Sequence, residues 1–435
     1  MRRDRGWIEG NRLQLLENGE AYYPSVFDAI AKAEHEILIE TFILFDDKVG
    51  QALRELLIEA GQRGVSVDLT VDSYGSPDLS DEFIGGLTAA GVRVHVFDHA
   101  GKLFGRWRTN LLRRLHRKLV VIDGRIGYVG GINFSADHLG DYGPEAKQDY
   151  AVRVEGPVVE HIHRFLLEQL PPAQPRPRFW RAARIVRQAT QWPGWRPWRQ
   201  WQEEAPDLPA VGGARALFVT RDNHQHRTDI ERHYRIAIRA ARRQITIANA
   251  YFFPGYRLLR EMRRAAKRGV DVRLILQGNP DMAIVPVAAR MLYGYLVPAG
   301  VSVHEYCRRP LHGKVAVVDD EWATVGSSNL DPLSLSLNLE SNLFIRDREF
   351  ARLLRERLDL LVQHHCQAVA VDHIPKRTAW RALLGAVVFH VVRHFPDWAG
   401  WLPRHAPRLT SLGEAPPPAP PATTTPPSPG AQVTR

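Results

Sequence analysis

Residues 116–133, HRKLVVIDGRIGYVGGIN, recur as HGKVAVVDDEWATVGSSN at residues 312–329. Both copies follow the pattern H-x-K-x4-D-x6-G-x2-N, and their offset is constant, since 312 − 116 and 329 − 133 both give 196. At average residue usage, one such five-point match would arise by chance in roughly one chain in ten thousand. Two copies in one chain therefore indicate an internal duplication.

Each copy has the pattern of a β-hairpin. An apolar run follows the lysine, an Asp-Gly or Asp-Asp turn comes next, and a second apolar run leads to a Gly-rich end. Residues two apart on a strand face the same way, so we expect the His and Lys of each motif to share a face. A neutral imidazole can attack or take a proton, and lysine can hold a phosphate oxyanion. Phosphoryl transfer is the chemistry that this pair indicates.

The sequence around the motifs predicts an α/β fold. Residues 26–45 have the pattern of a helix and then a strand, 49–62 of a helix and 65–71 of a strand. The second half repeats this layout, because residues 237–253 resemble 29–45. A chain of 435 residues is also too long for one ordinary core. We predict an internal duplication of two α/β halves in one chain.

The predicted domain boundaries follow the duplication and the composition. The N-terminal half spans 1–170 and the C-terminal half 209–370, with a Trp/Arg-rich linker at 171–208 between them. An amphipathic segment, 371–411, follows the second half. The Pro/Thr-rich tail, 412–435, is expected to be disordered.

The charge and the cysteine count limit the possible partners. The formal net charge of +10 favours an anionic partner, either nucleic acid or anionic lipid. Two cysteines are too few for a disulfide scaffold or a Cys-based zinc site, which fits a reducing compartment. The N-terminal 20 residues lack the apolar core of a signal peptide and the length of a membrane span. We therefore expect any membrane contact to be peripheral.

Three basic, aromatic segments are candidates for that contact. Residues 171–202 contain five of the eleven tryptophans, interleaved with arginines. Contact with a membrane interface, packing between the halves, and base stacking beside a basic groove are three open interpretations. Residues 102–118 are interpreted as a lipid entry lip or a solvated loop, and 378–405 as an interfacial segment or one packed on the body.

The twin motifs resemble those of the phospholipase D superfamily, in which two H-x-K-D motifs meet in one active site. This resemblance implies two duplicated phospholipase-D-like α/β sandwich halves with a pseudo-twofold active site between them. The opening stretch 11–44, the HRK start of the first motif and YGPEAKQDYAVRVEGP at 142–157 are similar to short bacterial cardiolipin synthases without N-terminal transmembrane helices. This resemblance implies transfer of a phosphatidyl group from one phosphatidylglycerol to another through a phosphohistidine, with release of glycerol. It implies no cofactor, no metal, no nucleic acid and no obligate protein partner, and a peripheral position on the cytoplasmic face of the bacterial membrane.

The resemblance also assigns roles to motif residues. It makes His116 the nucleophile and His312 the general acid and then base, although the pattern itself is symmetric. The residues expected to hold the phosphate oxygens are Lys118, Lys314, Asn133 and Asn329.

Four acidic residues complete the predicted site. Asp149 and Glu340 match the acids that orient the histidines, and they follow the histidines of their own halves by 149 − 116 = 33 and 340 − 312 = 28 residues. The family counts Asp123 and Asp319 among its catalytic motif residues. We expect them to cap the hairpin turns instead, with a direct catalytic role as the alternative.

One position departs from the family pattern, and other functions remain open. The first motif has Gly131 where the second has Ser327, so that half-site lacks one hydroxyl. A phospholipase D hydrolase would differ from a synthase only in using water as the acceptor. A nucleic-acid phosphodiesterase would show salt-sensitive duplex binding. A noncatalytic lipid-binding scaffold would show no turnover on phosphatidylglycerol vesicles.

Overall fold

Both motifs form the hairpins that the sequence predicts. In the computed structural model, the residues described are 6–77, 79–97, 114–171, 208–223, 225–278, 292–369 and 409–412. Val121 pairs with Gly127 in the first hairpin and Val317 with Ala323 in the second, both antiparallel. The motif histidines precede the hairpin strands instead of lying within them. They are therefore placed by the loops that lead into the hairpins.

The described strands form a single sheet of sixteen. In chain order, the strands are β1 (Ile8–Glu17), β2 (Glu36–Thr41), β3 (Ser66–Asp72), β4 (Arg93–Phe97), β5 (Leu119–Ile122), β6 (Ile126–Gly130), β7 (Tyr150–Glu155), β8 (Ala214–Arg221), β9 (Gln244–Asn249), β10 (Asp271–Gln277), β11 (Val301–Tyr306), β12 (Lys314–Val318), β13 (Trp322–Gly326), β14 (Glu340–Arg346), β15 (Cys366–Ala368) and β16 (Leu409–Leu412).

The strand order shows the duplication directly. It runs β15-β11-β10-β9-β12-β13-β14-β8-β1-β7-β6-β5-β2-β3-β4-β16. Reading outward from the central antiparallel pair β1 and β8, each half has the same sequence of neighbours. In each half, three parallel strands (β2, β3 and β4, or β9, β10 and β11) lie outside the antiparallel hairpin. The predicted duplicated α/β architecture is confirmed.

The helices of the described chain complete three cores. They are α1 (Asn18–Ala31), α2 (Lys48–Gln62), α3 (Asp81–Ala89), α4 (Val158–Gln169), α5 (Asp229–Ala240), α6 (Tyr256–Lys267), α7 (Pro332–Ser336) and α8 (Arg348–His365). Helices α1 to α3 cover one core of the N-terminal half, and α5 and α6 cover the equivalent core of the other half. Helices α4 and α8 contribute to a third core that contains residues of both halves. This shared core fixes the two halves against each other.

Local sequence explains several element ends. Helix α1 begins at Asn18, eight residues earlier than the sequence pattern suggested, because Asn18 takes a positive φ of 60° and ends β1 there. Helices α2 and α8 begin after Asp47 and Asp347, whose carboxylates accept backbone N–H bonds of the first turn. The turns of both hairpins also require positive φ, at Asp123 (50°) and Asp319 (54°).

Several predicted segments lie outside the described residues. These are most of the Trp/Arg-rich linker, residues 102–113, residues 378–405 and the tail from 414 onward. Residues 409–412, however, form β16 on the edge of β4, so the predicted boundary between 411 and 412 falls inside a strand. None of the helices in the described ranges has the length and apolar character that a bilayer crossing requires.

Candidate active site

The loop that carries each motif histidine is hydrogen-bonded to the opposite half of the chain. An isolated parallel bridge joins Leu115 to Leu339, and a second joins Leu311 to Gln148. The backbone N–H of His116 donates to the Leu339 carbonyl (2.9 Å), and that of His312 to the Gln148 carbonyl (2.8 Å). Leu339 directly precedes Glu340, and Gln148 directly precedes Asp149. Each motif histidine is therefore held close to an acid of the other half.

The same loops are also anchored within their own halves. The N–H of Leu115 donates to the Asp72 carboxylate at the end of β3 (2.8 Å). The N–H of Leu311 donates to the Gln277 side-chain oxygen at the end of β10 (2.5 Å). These two positions correspond under the duplication, so the carboxyl ends of equivalent parallel strands position both motif loops.

The acids orient the histidines of the opposite halves. Nδ1 of His116 lies 3.0 Å from Oε2 of Glu340, and Nδ1 of His312 lies 2.5 Å from Oδ2 of Asp149. The assignment of each acid to the histidine of its own half was wrong. The reason is the pair of bridges, which brings each motif loop alongside the residue that directly precedes the acid of the other half. Both acids therefore bind Nδ1, the nitrogen that an orienting carboxylate is expected to hold, and Nε2 lies on the opposite side of each ring.

The two lysines lie close to the histidines and are buried. Nζ of Lys118 donates to the carbonyl of His116 (2.8 Å), and Nζ of Lys314 donates to the carbonyl of His312. Burial lowers the pKa of Lys118 to about 7 and that of Lys314 to about 8. Repulsion from Lys314 adds to the lowering of the Lys118 pKa, and both lysines lower the pKa of His312. An anion bound beside these lysines would favour their charged forms and raise both pKa values.

The two motif asparagines differ in the atoms they present. Oδ1 of Asn133 accepts the N–H of Ile43 (3.2 Å), while its Nδ2 is buried with no hydrogen-bond partner among the described residues. That amide can donate to a phosphate oxygen. Asn329 instead has its Oδ1 buried without a hydrogen-bond partner in the described part of the chain.

Asp123 and Asp319 occupy structural positions. The carboxylate of Asp123 accepts the N–H groups of Glu34, His35 and Glu36 (2.8–3.0 Å). The carboxylate of Asp319 accepts those of residues 242, 243 and 244 in the same way (2.7–2.9 Å). Each aspartate ties its hairpin turn to the start of the neighbouring strand, β2 or β9. They stabilise the fold around the site and do not contact the motif histidines through these bonds, in keeping with the structural role expected.

The two histidine–acid pairs differ electrostatically. Burial alone would raise the pKa of Glu340, but His116, Lys118 and the Ser327 hydroxyl (2.5 Å) outweigh it, so the pKa of Glu340 is lowered. Burial raises the pKa of Asp149 to about 6 despite the nearby lysines. Burial also lowers the pKa of both His116 and His312. The Ser327 hydroxyl adds to the effect of His116 and Lys118 on Glu340, while Gly131 offers Asp149 no hydroxyl.

Gly131 has a steric role that its lack of a side chain explains. A Cβ at this position would overlap the Asp149 carboxylate. The aspartate can therefore approach the backbone of the first motif only because residue 131 is glycine. The two halves therefore differ at two neighbouring positions. Gly131 lies against the shorter Asp149 in one half, and Ser327 bonds the longer Glu340 in the other.

One buried residue of the site was missed in the sequence. His138 lies in a 3-10 turn just after the first motif, and its ring centroid is 5.6 Å from that of His312. The sequence signal was only a lone histidine in a segment without periodicity, five residues after Asn133. Phe42 takes a comparable place beside His116, at 5.0 Å between ring centroids.

The duplicated halves together supply two histidines with carboxylate partners, two lysines and a donor amide. This combination defines a phospholipase-D-like phosphodiester transferase site. Comparison with known proteins places the chain within this class. The family described as "Cardiolipin synthase, PLD-like domain" matches residues 26–167 and 234–362. The chain belongs to this cardiolipin synthase family of the phospholipase D superfamily, and the prediction of a phosphatidyltransferase is confirmed at that level.

Individual relatives agree with the family match. The chain is 56% identical to cardiolipin synthase B of Salmonella typhi over 416 residues, which cover 96% of this chain and 95% of the relative. It is 54% identical to cardiolipin synthase B of Escherichia coli K12, with 95% of each chain covered. A crystal structure of phosphatidylserine synthase from Haemophilus influenzae Rd KW20 shares the fold, with a TM-score of 0.64 at 12% identity, covering 92% of this chain and 96% of the other.

Proposed function

We propose that this cardiolipin synthase transfers the phosphatidyl group of one phosphatidylglycerol to His116 and then to the hydroxyl of a second phosphatidylglycerol. The observation that carries the proposal is the exchange of acids between the halves, which gives two imidazoles with oriented Nδ1 atoms around one set of buried cations. One imidazole can then attack while the other transfers protons.

In the first step, Nε2 of neutral His116 attacks phosphorus and the bond from phosphorus to the glycerol oxygen breaks. Protonated His312 gives its Nε2 proton to that oxygen, and glycerol leaves. The phosphohistidine carries its proton on Nδ1, which bonds to Glu340 (3.0 Å). The ionised Glu340 therefore faces the positive charge that develops on the ring.

In the second step, His312 is the base. It takes the proton of the acceptor hydroxyl as the hydroxyl oxygen attacks phosphorus and the bond from phosphorus to Nε2 of His116 breaks. Cardiolipin forms and both histidines return to their starting states. Water in place of the lipid alcohol would give hydrolysis, so exclusion of water from the site decides the product.

The lysines explain how His312 gains its proton. Burial, and then repulsion from Lys314 and Lys118, lowers the pKa of His312 in the free site. A phosphodiester anion between the lysines offsets their repulsion and so raises the pKa of the histidine. Substrate binding therefore favours the protonated form that acts as the general acid. We further propose that the enzyme works at the cytoplasmic face of the membrane as a peripheral protein, in line with its basic charge.

The test is the product formed by purified protein on phosphatidylglycerol vesicles, resolved by mass analysis into cardiolipin, phosphatidic acid and glycerol. We expect cardiolipin and glycerol in equal amounts from the wild-type protein. We expect none from His116→Ala and at most traces from His312→Ala. Phosphatidic acid as the main product would replace the synthase by a hydrolase, and wild-type turnover by either variant would refute the assigned site.

A further inference from the structure

The two reaction steps proposed above give no role to His138, whose ring lies beside that of His312. Its side chain is fully buried at 0% exposure, and its plane stands at 72° to that of His312. It belongs to the N-terminal half, while His312 belongs to the other. The imidazole of His312 is thus bordered by two residues of the opposite half, Asp149 at Nδ1 and His138 beside the ring.

The hydrogen bonding of His138 fixes its tautomer. The backbone N–H of Asn133 donates to Nε2 of His138 at 3.3 Å. A backbone N–H can only donate, so Nε2 carries no proton and the ring proton lies on Nδ1. Burial, together with repulsion from Lys147 and Lys314, lowers the pKa of His138 to about 3. The ring is therefore neutral, and it cannot exchange protons with His312 at the pH values at which the enzyme works.

A metal site is the alternative explanation for this cluster. Donor atoms of His138, Asp149 and His312 all lie within 4.8 Å of one another, a spacing that a cation could use. The hydrogen bonds oppose it. A metal on Nδ1 of His138 would move the ring proton to Nε2, where it would face the N–H of Asn133, and Nδ1 of His312 is already engaged with Asp149. Nδ1 of His138 is buried without a hydrogen-bond partner among the described residues, so the bond from Asn133 to Nε2 is what holds this ring.

We propose that His138 is a positioning residue that holds the His312 imidazole in the plane in which Nδ1 meets Asp149 and Nε2 meets the departing oxygen. The ring contact (5.6 Å) blocks rotation of His312 out of that plane, and the bond from Asn133 holds His138 itself in place. The proposal rests on the proposed function, because it gives His138 a role in the proton transfer that His312 carries out in that reaction.

The duplication supplies a matched comparison. The residue equivalent to His138 is Ser334, since 138 + 196 = 334, and it is also buried (2% exposed). The ring beside His116 comes instead from Phe42, after β2. His116, as the nucleophile, donates no proton to the leaving group, so an apolar neighbour suffices there. His312, as the general acid, instead lies beside a ring that the Asn133 backbone holds by a hydrogen bond.

The test compares two donor lipids that differ in their need for an acid. Glycerol must be protonated to leave phosphatidylglycerol, whereas p-nitrophenol leaves a phosphatidyl-p-nitrophenyl ester as a stable anion. His138→Gln keeps an acceptor for Asn133 but removes the ring. We expect this variant to slow phosphohistidine formation from phosphatidylglycerol by about 10- to 100-fold, and from the nitrophenyl ester by less than about threefold. Ser334→Ala should leave the ratio of the two rates unchanged.

The burst of p-nitrophenolate counts the active sites that are folded and competent, so both rates are expressed per working site. His138→Ala serves as the second variant and should show the same change in the ratio. An equal slowing of both lipids, or no slowing of either, would overturn the role of His138. Failure of the wild-type protein to make cardiolipin would instead overturn the proposed function, so the two failures are distinguishable.

Discussion

The bond from His116 to Glu340 crosses between the halves, and Glu340→Gln removes its charge while keeping its shape. Glu340 is fully buried, so solvent screens the interaction little. A hydrogen bond to a charged group contributes about 1.5–3 kcal/mol. Because about 1.4 kcal/mol corresponds to a factor of ten, we expect phosphohistidine formation on His116 to slow by about 10- to 150-fold.

The magnitude alone would not show which histidine is affected, so Asp149→Asn is the partner variant. Both are assayed by rapid quench with phosphatidylglycerol and with the p-nitrophenyl ester. Glu340→Gln should slow both lipids by the same factor, because the nucleophile is needed for each. Asp149→Asn should slow only phosphatidylglycerol, since it acts through the general acid His312.

An exposed glutamate provides the control. Glu321 forms a surface ion pair with Arg348 (3.1 Å), and Glu321→Gln should change neither rate. The reverse pattern, in which Asp149→Asn slows the nitrophenyl ester and Glu340→Gln slows only phosphatidylglycerol, would refute the combination of pairing and roles derived from the structure.

Two further predictions concern the charge and the space around the site. Lysine binds phosphate only when protonated, so kcat/KM for phosphatidylglycerol should fall as the pH rises through about 7 to 8, the lowered pKa values of Lys118 and Lys314. Lys118→Arg should shift that alkaline limb upward in a pH–rate profile, and a limb unmoved by it would assign the titration elsewhere. Gly131→Ala should reduce turnover at least about tenfold by displacing the Asp149 carboxylate, as measured by steady-state rates. Gly85→Ala, where an added Cβ meets nothing within 4 Å, should not, and equal rates for the two variants would contradict the steric role.

Local pattern was sufficient to predict the hairpins and the duplicated layout. The short apolar runs on either side of the turns at Asp123 and Asp319 specify two strands and a turn in each half. The repeat of residues 29–45 at 237–253 specified the order of elements in both halves. Both acids were predicted from the family resemblance, and Asp149 precedes and Glu340 begins a buried strand, as the pattern indicated.

The exchange of the acids could not be predicted in this way. Distance along the sequence pairs Asp149 with His116, but the bridge from Gln148 to Leu311 is a contact between halves that leaves no periodic trace. His138 was missed for the same reason, since its importance arises only when His312 of the other half lies beside it. The strand β16 depends likewise on a long-range pairing with β4.

The exchange of acids has a consequence for how the duplicated fold works. The acid that bonds each motif histidine comes from the opposite half, so neither half alone holds one of the two pairs. The shared core beneath α4 and α8 helps to hold both pairs together, because a displacement of one half would lengthen both histidine–acid bonds. The two pairs also differ: His116, Lys118 and the Ser327 hydroxyl outweigh burial and lower the pKa of Glu340, while burial raises that of Asp149 to about 6. A symmetric scaffold thus supports an asymmetric reaction through residues at only a few equivalent positions.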